Sequence, residues 1–197
     1  MKGIDVSAHN GIVDWKAVKD AGIDFAIIRT GAGLSIQDDF KSNVYGAKDA
    51  GLLVGAYHYS YALTPSRAAQ EAVFCRSIID DAGVLLELPV FFDMEDADGY
   101  KMRHRFDFSR RNCTRVCLAF LTSIGLQNGV YASYEWFSKL IDWRSLGCAV
   151  WNAQWSSQDD LQGMLWQFTD RYEIDGRAFD ANILYDHSHR AGLDPWL

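Results

Sequence analysis

The chain has 197 residues, of which 49% are hydrophobic and 23% charged, and its formal net charge is −7. This length suits one domain with a substantial core, so we expect a single domain over residues 1–197. The acidic excess disfavours nucleic acid as a partner, because phosphates select basic surfaces. No apolar run reaches the roughly 20 residues of a membrane-spanning helix, and the N-terminus lacks the apolar segment of a signal peptide.

Short apolar, β-branched runs alternate with longer amphipathic runs over most of the chain, which is typical of repeated βα units. Strands are predicted over residues 2–6, 25–29, 53–59, 88–95, 128–132, 148–154, 163–168 and 174–180. Helices are predicted over residues 14–21, 39–50, 65–81, 109–124 and 134–140. Thr64 and Pro65 suit the N-cap and first position of the third helix.

Five βα units followed by three strands predict an α/β fold, a TIM-like barrel of modified (β/α)5(β)3 type. The missing late helices also account for a chain shorter than the roughly 250 residues of a full barrel. A doubly wound open sheet is the competing architecture. The glycine-rich turn that such sheets often carry after the first strand is absent, since residues 7–11 read Ser-Ala-His-Asn-Gly.

Carboxylates cluster at the predicted strand ends, where barrel enzymes carry their chemistry. Asp93 and Glu95 end an apolar strand, and alternation of side chains places them on one face. Two carboxyl groups that lie near each other disfavour joint ionisation, so one of them should keep a proton. It could donate that proton to a leaving oxygen. Asp5 ends the first strand and Asp180 the last, and both could complete the acidic floor or merely accept backbone hydrogen bonds.

Two other features bear on the same site. Four aromatic side chains lie near predicted strand ends, namely Tyr57, Tyr59, Tyr131 and Trp151. They could stack on sugars or equally pack in the core. His58 should face away from the site. Three or four carboxylates would also suit Mg²⁺ or Ca²⁺, but no HxH or HExxH pattern supports a metal, and we predict none.

The motifs of this chain resemble those of the glycoside hydrolase family 25 lysozymes. The resemblance rests on segments in one order along the chain: Gly3-Ile4-Asp5-Val6-Ser7, Gly55-Ala56-Tyr57-His58-Tyr59, Phe92-Asp93-Met94-Glu95, Val150-Trp151-Asn152-Ala153, Leu165-Trp166-Gln167-Phe168 and Phe179-Asp180. Phe179 occupies a position where the family more often has Val. Asp180 and Asn182, two residues after it, are the same as in the family motif.

The resemblance implies hydrolysis, without a cofactor, of the β-1,4 bond between N-acetylmuramic acid and N-acetylglucosamine in bacterial peptidoglycan. It makes Glu95 the general acid and Asp93 its partner, with Asp5 and Asp180 completing the site. Asp93 could polarise the substrate acetamido group, giving retention, or Asp93 or Asp180 could activate water, giving inversion. A chitinase-like hydrolase and a non-catalytic wall-binding module are the alternatives. We expect a monomer that acts outside the cell on the wall.

Overall fold

The computed structural model describes residues 1–185, so residues 186–197 of the predicted domain lie outside the described part. The strands are β1 Lys2–Val6, β2 Phe25–Ala32, β3 Ser35–Ile36, β4 Leu53–Tyr59, β5 Val90–Asp93, β6 Asn128–Ser133, β7 Ala149–Ala153, β8 Leu165–Ile174 and β9 Arg177–Leu184. The helices are α1 Trp15–Asp20, α2 Phe40–Asp49, α3 Pro65–Ala82, α4 Tyr100–Arg103, α5 Arg110–Ile124 and α6 Tyr134–Lys139.

Eight of these strands form one closed mixed barrel, which confirms the predicted fold class. The strands follow the order β1-β9-β8-β7-β6-β5-β4-β2, and β1 also pairs in parallel with β2, so these eight strands form a continuous ring. β3 pairs only with β2, outside the ring. Within residues 1–185, each of the first five barrel strands is followed by a helix, and no helix follows the last three. An open, doubly wound sheet is therefore excluded.

The two long helices α3 and α5 begin and end with the same local devices. The hydroxyls of Thr64 and Ser109 accept hydrogen bonds from backbone N–H groups of the first turn. Gly83 and Gly125 end the helices in the left-handed conformation, which glycine adopts without steric cost. Both helices bury one apolar face against the outside of the barrel, so the larger part of the core lies between helices and strands.

A smaller core fills the barrel interior, where large residues on one strand face glycines on the next. Phe25 pairs with Gly3, and Phe91 pairs with Gly129. A Cβ added to Gly3 or Gly129 would lie within 2.6 Å of the facing phenyl ring. The interior is therefore filled by rings rather than left open, and Trp151 stacks edge-on against Phe91 above it.

The prediction for the last two strands was wrong in detail. β8 continues to Ile174, and the predicted strand 174–180 contains a two-residue turn at Asp175 and Gly176, both with positive φ. The chain then returns as β9, antiparallel to β8 and to β1. Such a turn matches the twist of a β-hairpin, so Asp-Gly here closes a hairpin instead of continuing a strand.

Among residues 1–185, no helix combines the length and apolar character needed to cross a membrane.

Candidate active site

One cleft of about 540 Å³ opens at the carboxyl ends of the parallel strands. All eight residues predicted for the site lie in its wall: Asp5, Tyr57, Tyr59, Asp93, Glu95, Tyr131, Trp151 and Asp180. They come from six different strands and one strand end, so only the closed barrel brings them together. Their chemical roles are taken up as a proposal below.

Asp93 and Glu95 both face the cleft because the alternation of side chains continues two residues beyond the end of β5. The Met94 N–H donates to the Tyr131 carbonyl at 2.9 Å, and the Met94 side chain is buried in the core outside the barrel. The side chains on either side of Met94 therefore point into the cleft. The predicted strand 88–95 was longer than the observed Val90–Asp93, but the inference that both carboxyls share one face holds.

The Asp93 carboxyl is 3% exposed, and its Oδ1 is buried with no hydrogen-bond partner in the described part of the chain. Burial, followed by the charge of Glu95, raises the pKa of Asp93 well above its ordinary value, against the opposing effect of Lys101. Burial is also the main cause that raises the pKa of Glu95, again opposed by Lys101. The pair therefore disfavours two negative charges and holds a proton more tightly than isolated carboxyl groups would.

Asp5 is held from below by two amide side chains. Gln167 Nε2 and Asn182 Nδ2 donate to its Oδ2 at 2.9 and 2.8 Å. Burial and the charge of Asp180, its cross-strand partner on β9, nevertheless raise the pKa of Asp5 to about 8. Asp5 thus stays protonated near neutral pH and donates to Asp180.

Indole groups fix the orientation of both amides, since an indole N–H can only donate. Trp151 Nε1 donates to Asn182 Oδ1 at 2.8 Å, and Trp155 Nε1 donates to Gln167 Oε1 at 3.3 Å. Each amide oxygen is therefore an acceptor, and each amide nitrogen is left to donate to Asp5.

Aromatic rings form the floor and one wall of the cleft. Trp151 packs edge-on against Tyr131 and Tyr57, with ring centroids 4.6 and 6.0 Å apart. Both Trp151 and Tyr57 are buried, so each is a core residue whose edge reaches the cleft floor. Burial raises the pKa of Tyr57, Tyr59 and Tyr131, so their hydroxyls remain protonated and able to donate.

His58 faces away from the site, as predicted. Its Nε2–H donates to the Gly33 carbonyl at 2.9 Å, and its Nδ1 lies 2.8 Å from the Thr30 hydroxyl. Burial lowers its pKa to about 4, so the imidazole is neutral and structural.

Several polar residues at the site were not assigned from the sequence. Gln167 and Asn182 occur in the motifs quoted above, but their bonds to Asp5 depend on the pairing of β8 and β9. Arg29 contributes a guanidinium to the cleft wall. Lys101 was not assigned to the site either, although it is 1% exposed and lies behind the cleft.

No group of three or more His, Cys, Asp or Glu side chains in residues 1–185 is arranged to hold a metal ion. All four cysteines are free thiols.

Fold and site together define a barrel protein with an acidic, aromatic-lined cleft at the carboxyl ends of its strands. The chain belongs to the glycosyl hydrolases family 25, because the model of that family matches residues 4–177.

Curated relatives are similar to this chain over lengths that range from 38% to 93% of it. The "Autolytic lysozyme" of Clostridium acetobutylicum is 28% identical over 187 residues, which cover 93% of this chain and 55% of that protein. "Lysozyme M1" of Streptomyces globisporus is 40% identical over 75 residues, or 38% of this chain and 26% of that protein. The chain therefore spans about half, or less, of the length of these relatives.

The structure of the modular autolysin LytC from Streptococcus pneumoniae, in complex with a synthetic peptidoglycan ligand, has a TM-score of 0.83 to this chain. The match covers 93% of this chain and 46% of that chain at 21% identity. At that identity the likeness concerns the fold.

Proposed function

We propose that this chain is a muramidase, which hydrolyses the β-1,4 bond between N-acetylmuramic acid and N-acetylglucosamine in bacterial peptidoglycan. It acts as a monomer on the wall outside the cell and needs no cofactor. Family membership supports the reaction class. The named activities of the two curated relatives support the substrate.

The observation that carries the proposal is the paired Asp93 and Glu95 at one strand end. Both pKa values are raised by burial, so the pair holds a proton where a glycosidic oxygen could accept it. The cleft wall around the pair is lined by tyrosines and Trp151, which suit the apolar faces and hydroxyls of sugar rings.

Substrate binding would determine which carboxyl holds the proton. Asp93 Oδ1 has no donor partner in the described chain, and an acetamido N–H at this carboxyl would stabilise its ionised form. An ionised Asp93 would in turn raise the pKa of Glu95. Substrate would therefore leave the proton on Glu95, the residue we assign as general acid.

The reaction then proceeds in two balanced steps. The acetamido carbonyl oxygen attacks the anomeric carbon while the glycosidic C–O bond breaks, and the Glu95 proton passes to the leaving oxygen. Asp93 accepts the acetamido N–H and stabilises the positive charge of the cyclic intermediate. Water next attacks the same carbon and gives its proton to the Glu95 carboxylate, with net retention. Substrate-assisted hydrolysis of this kind is an established variant of two-carboxylate catalysis.

The first prediction concerns the proton donor. Glu95→Gln keeps the shape of the side chain but removes its proton, so clearing of purified peptidoglycan should fall at least about 10²-fold. Turbidity loss at equal concentrations of folded protein measures this. Glu135→Gln is the matched control, because Glu135 is an exposed carboxyl on α6 that forms an ion pair with Lys139 on the same helix. Undiminished clearing by Glu95→Gln would overturn the assignment.

The second prediction concerns stereochemistry. Retention requires that the newly formed reducing end appear first as the β-anomer. Proton NMR during the first minutes of hydrolysis of soluble glycan fragments distinguishes the anomers before they interconvert. If the α-anomer forms first, water attacks directly, and Asp93 or Asp180 acts as the base. Chitin oligomers, assayed in parallel, show whether the lactyl group of muramic acid is required.

A further inference from the structure

A buried lysine lies directly behind the proposed catalytic pair. Lys101 on α4 is 1% exposed, and its Nζ donates to the Glu95 carbonyl at 2.7 Å and to the Ser60 carbonyl. Ser60 follows the end of β4, and Glu95 follows the end of β5. One ammonium group therefore joins the two neighbouring chain segments that form this side of the cleft.

A buried glutamate completes the arrangement from the opposite side. Glu71 on α3 is 0% exposed, and it accepts hydrogen bonds from the Ser60 hydroxyl at 2.8 Å and from the Tyr61 N–H at 3.2 Å. The Ser60 N–H in turn donates to the Asp93 carbonyl at 3.1 Å. Ser60 thus connects Glu71, Lys101 and the backbone of Asp93.

Burying an ammonium group near a carboxyl group is costly, and burial raises the pKa of Glu71 to about 7 against the opposing effects of the Ser60 hydrogen bond and the Lys101 charge. A fold would pack apolar residues here more cheaply if stability alone were at stake. The acidic groups that face Lys101 come from every adjoining segment: Asp93 from β5, Glu95 and Asp96 from the following loop, and Glu71 from α3. Asp96 also fixes the start of α4, since its carboxylate accepts from the Lys101 and Met102 N–H groups at 2.6 and 3.0 Å.

We propose that Lys101 is a positioning residue, which fixes the backbone of Glu95 so that its carboxyl stays beside Asp93, with Glu71 as its buried counter-charge. The inference rests on the proposed role of Glu95 as the proton donor. Lys101 does not line the cleft, and it acts on the reaction through the Glu95 main chain and through its charge. Its Nζ also lies 5.8 Å from the centre of the Tyr59 ring.

The charge of Lys101 has a separate, measurable effect. It lowers the pKa of Glu95 and of Asp93, against the larger raising effect of burial. Removing the charge should therefore raise the pKa of Glu95 further. A general acid with a higher pKa stays protonated to higher pH, so the alkaline limb of the rate profile should move upward.

The test compares Lys101→Met with Lys101→Arg in the full chain, on soluble muramic-acid-containing glycan fragments. Lys101→Met removes both the charge and the donors. We expect kcat to fall about 10- to 100-fold, because a misplacement of ~1 Å can cost ~10² in rate. KM should stay within about twofold, since groups that bind substrate are untouched. The alkaline limb of kcat should move to higher pH, while Lys101→Arg, which keeps the charge, should leave it in place.

A purely structural Lys101 would give another pattern. Lys101→Met would then lower the melting temperature but leave kcat per folded molecule and the alkaline limb unchanged, which would overturn the inference. If the single variant does not fold, Glu71→Gln with Lys101→Met removes both buried charges, and the same limb shift is expected from it. If Glu95→Gln retains full activity, the proposed function fails; if only the Lys101 result is negative, the positioning role fails alone.

Discussion

Asp5 shows how burial converts a carboxylate into a neutral hydrogen-bond donor. Its two amide donors favour the charged form, yet burial and Asp180 outweigh them and hold its pKa at about 8. In the unfolded chain the same group ionises near its ordinary pKa of 3.8. Between these two values the folded state binds a proton that the unfolded state has lost. The contribution of Asp5 to stability is therefore complete below about pH 4 and decreases as pH rises toward 8.

A third prediction follows at this scale. Asp5→Asn should reduce the loss of stability between pH 5 and pH 8, because an asparagine imitates the protonated acid. Its oxygen can accept from Gln167 and Asn182, and its amide can donate to Asp180. At pH 8 the variant should exceed the wild type by at least about 1 kcal/mol, roughly the value of one pKa unit. Urea unfolding at both pH values measures this, and parallel curves for the two proteins would contradict it.

The residues at the site differ in how far the sequence predicted them. Asp93 and Glu95 were found because a run of apolar residues ends in two acids spaced for one face. Lys101 was missed because nothing local distinguishes a buried lysine from its exposed neighbours Arg103 and Arg105. Its burial is decided by Ser60 and Glu71, which are distant in sequence, so only the assembled barrel shows it.

At the scale of single elements, neighbouring barrel strands pack their interior by placing large side chains beside glycines. Gly129 on β6 lies beside Phe91 on β5 and the Ala149 carbonyl on β7. The Phe91 ring cannot easily move away from Gly129, since Trp151 packs against it with ring centroids 5.3 Å apart. The aromatic floor of the cleft therefore rests on a glycine that no acid or aromatic motif marks.

The fourth prediction tests that support. Gly129→Ala should lower the free energy of unfolding by about 1–3 kcal/mol, the usual cost of overpacking a core. Its new Cβ would meet the Ala149 carbonyl oxygen and the Phe91 ring, both at 2.6 Å. Denaturant unfolding measures the loss. Gly147→Ala is the control, because its Cβ meets nothing within 4 Å and costs only left-handed strain of about 1–2 kcal/mol. A smaller loss of unfolding free energy for Gly129→Ala than for Gly147→Ala would contradict the prediction. It would show that the atoms around Gly129 can shift to accept a methyl group.

The final hairpin is the element that the sequence prediction handled least well. A run of strand-forming residues from 174 to 180 was taken as one strand, although Asp175-Gly176 is a strong signal for a two-residue hairpin turn. Asp180 was nevertheless placed at the site. Because β9 runs antiparallel to β1, Asp180 reaches the cleft from within its strand, beside Asp5, and not at its carboxyl end.

At the scale of the whole molecule, the periodic pattern was enough to predict the barrel. Each βα unit carries its own local signals, and an order of five units and three strands allows few topologies. Local pattern does not determine which strand closes the ring. That depends on β9 pairing with both β1 and β8, which are far apart in the chain.

Because β9 is the last described strand, the cleft cannot be complete until nearly all of the described chain has been synthesised. Asp5 leaves the ribosome among the first residues, yet its partners Asp180 and Asn182 lie on the last described strand. Until that strand arrives, β1 and β8 each present an unpaired edge, and such edges attract other chains. We therefore expect a nascent or clipped chain that ends before Arg177 to be prone to aggregation and to lack Asp180 and Asn182 at the site. The acidic site is complete only in a chain whose barrel has closed.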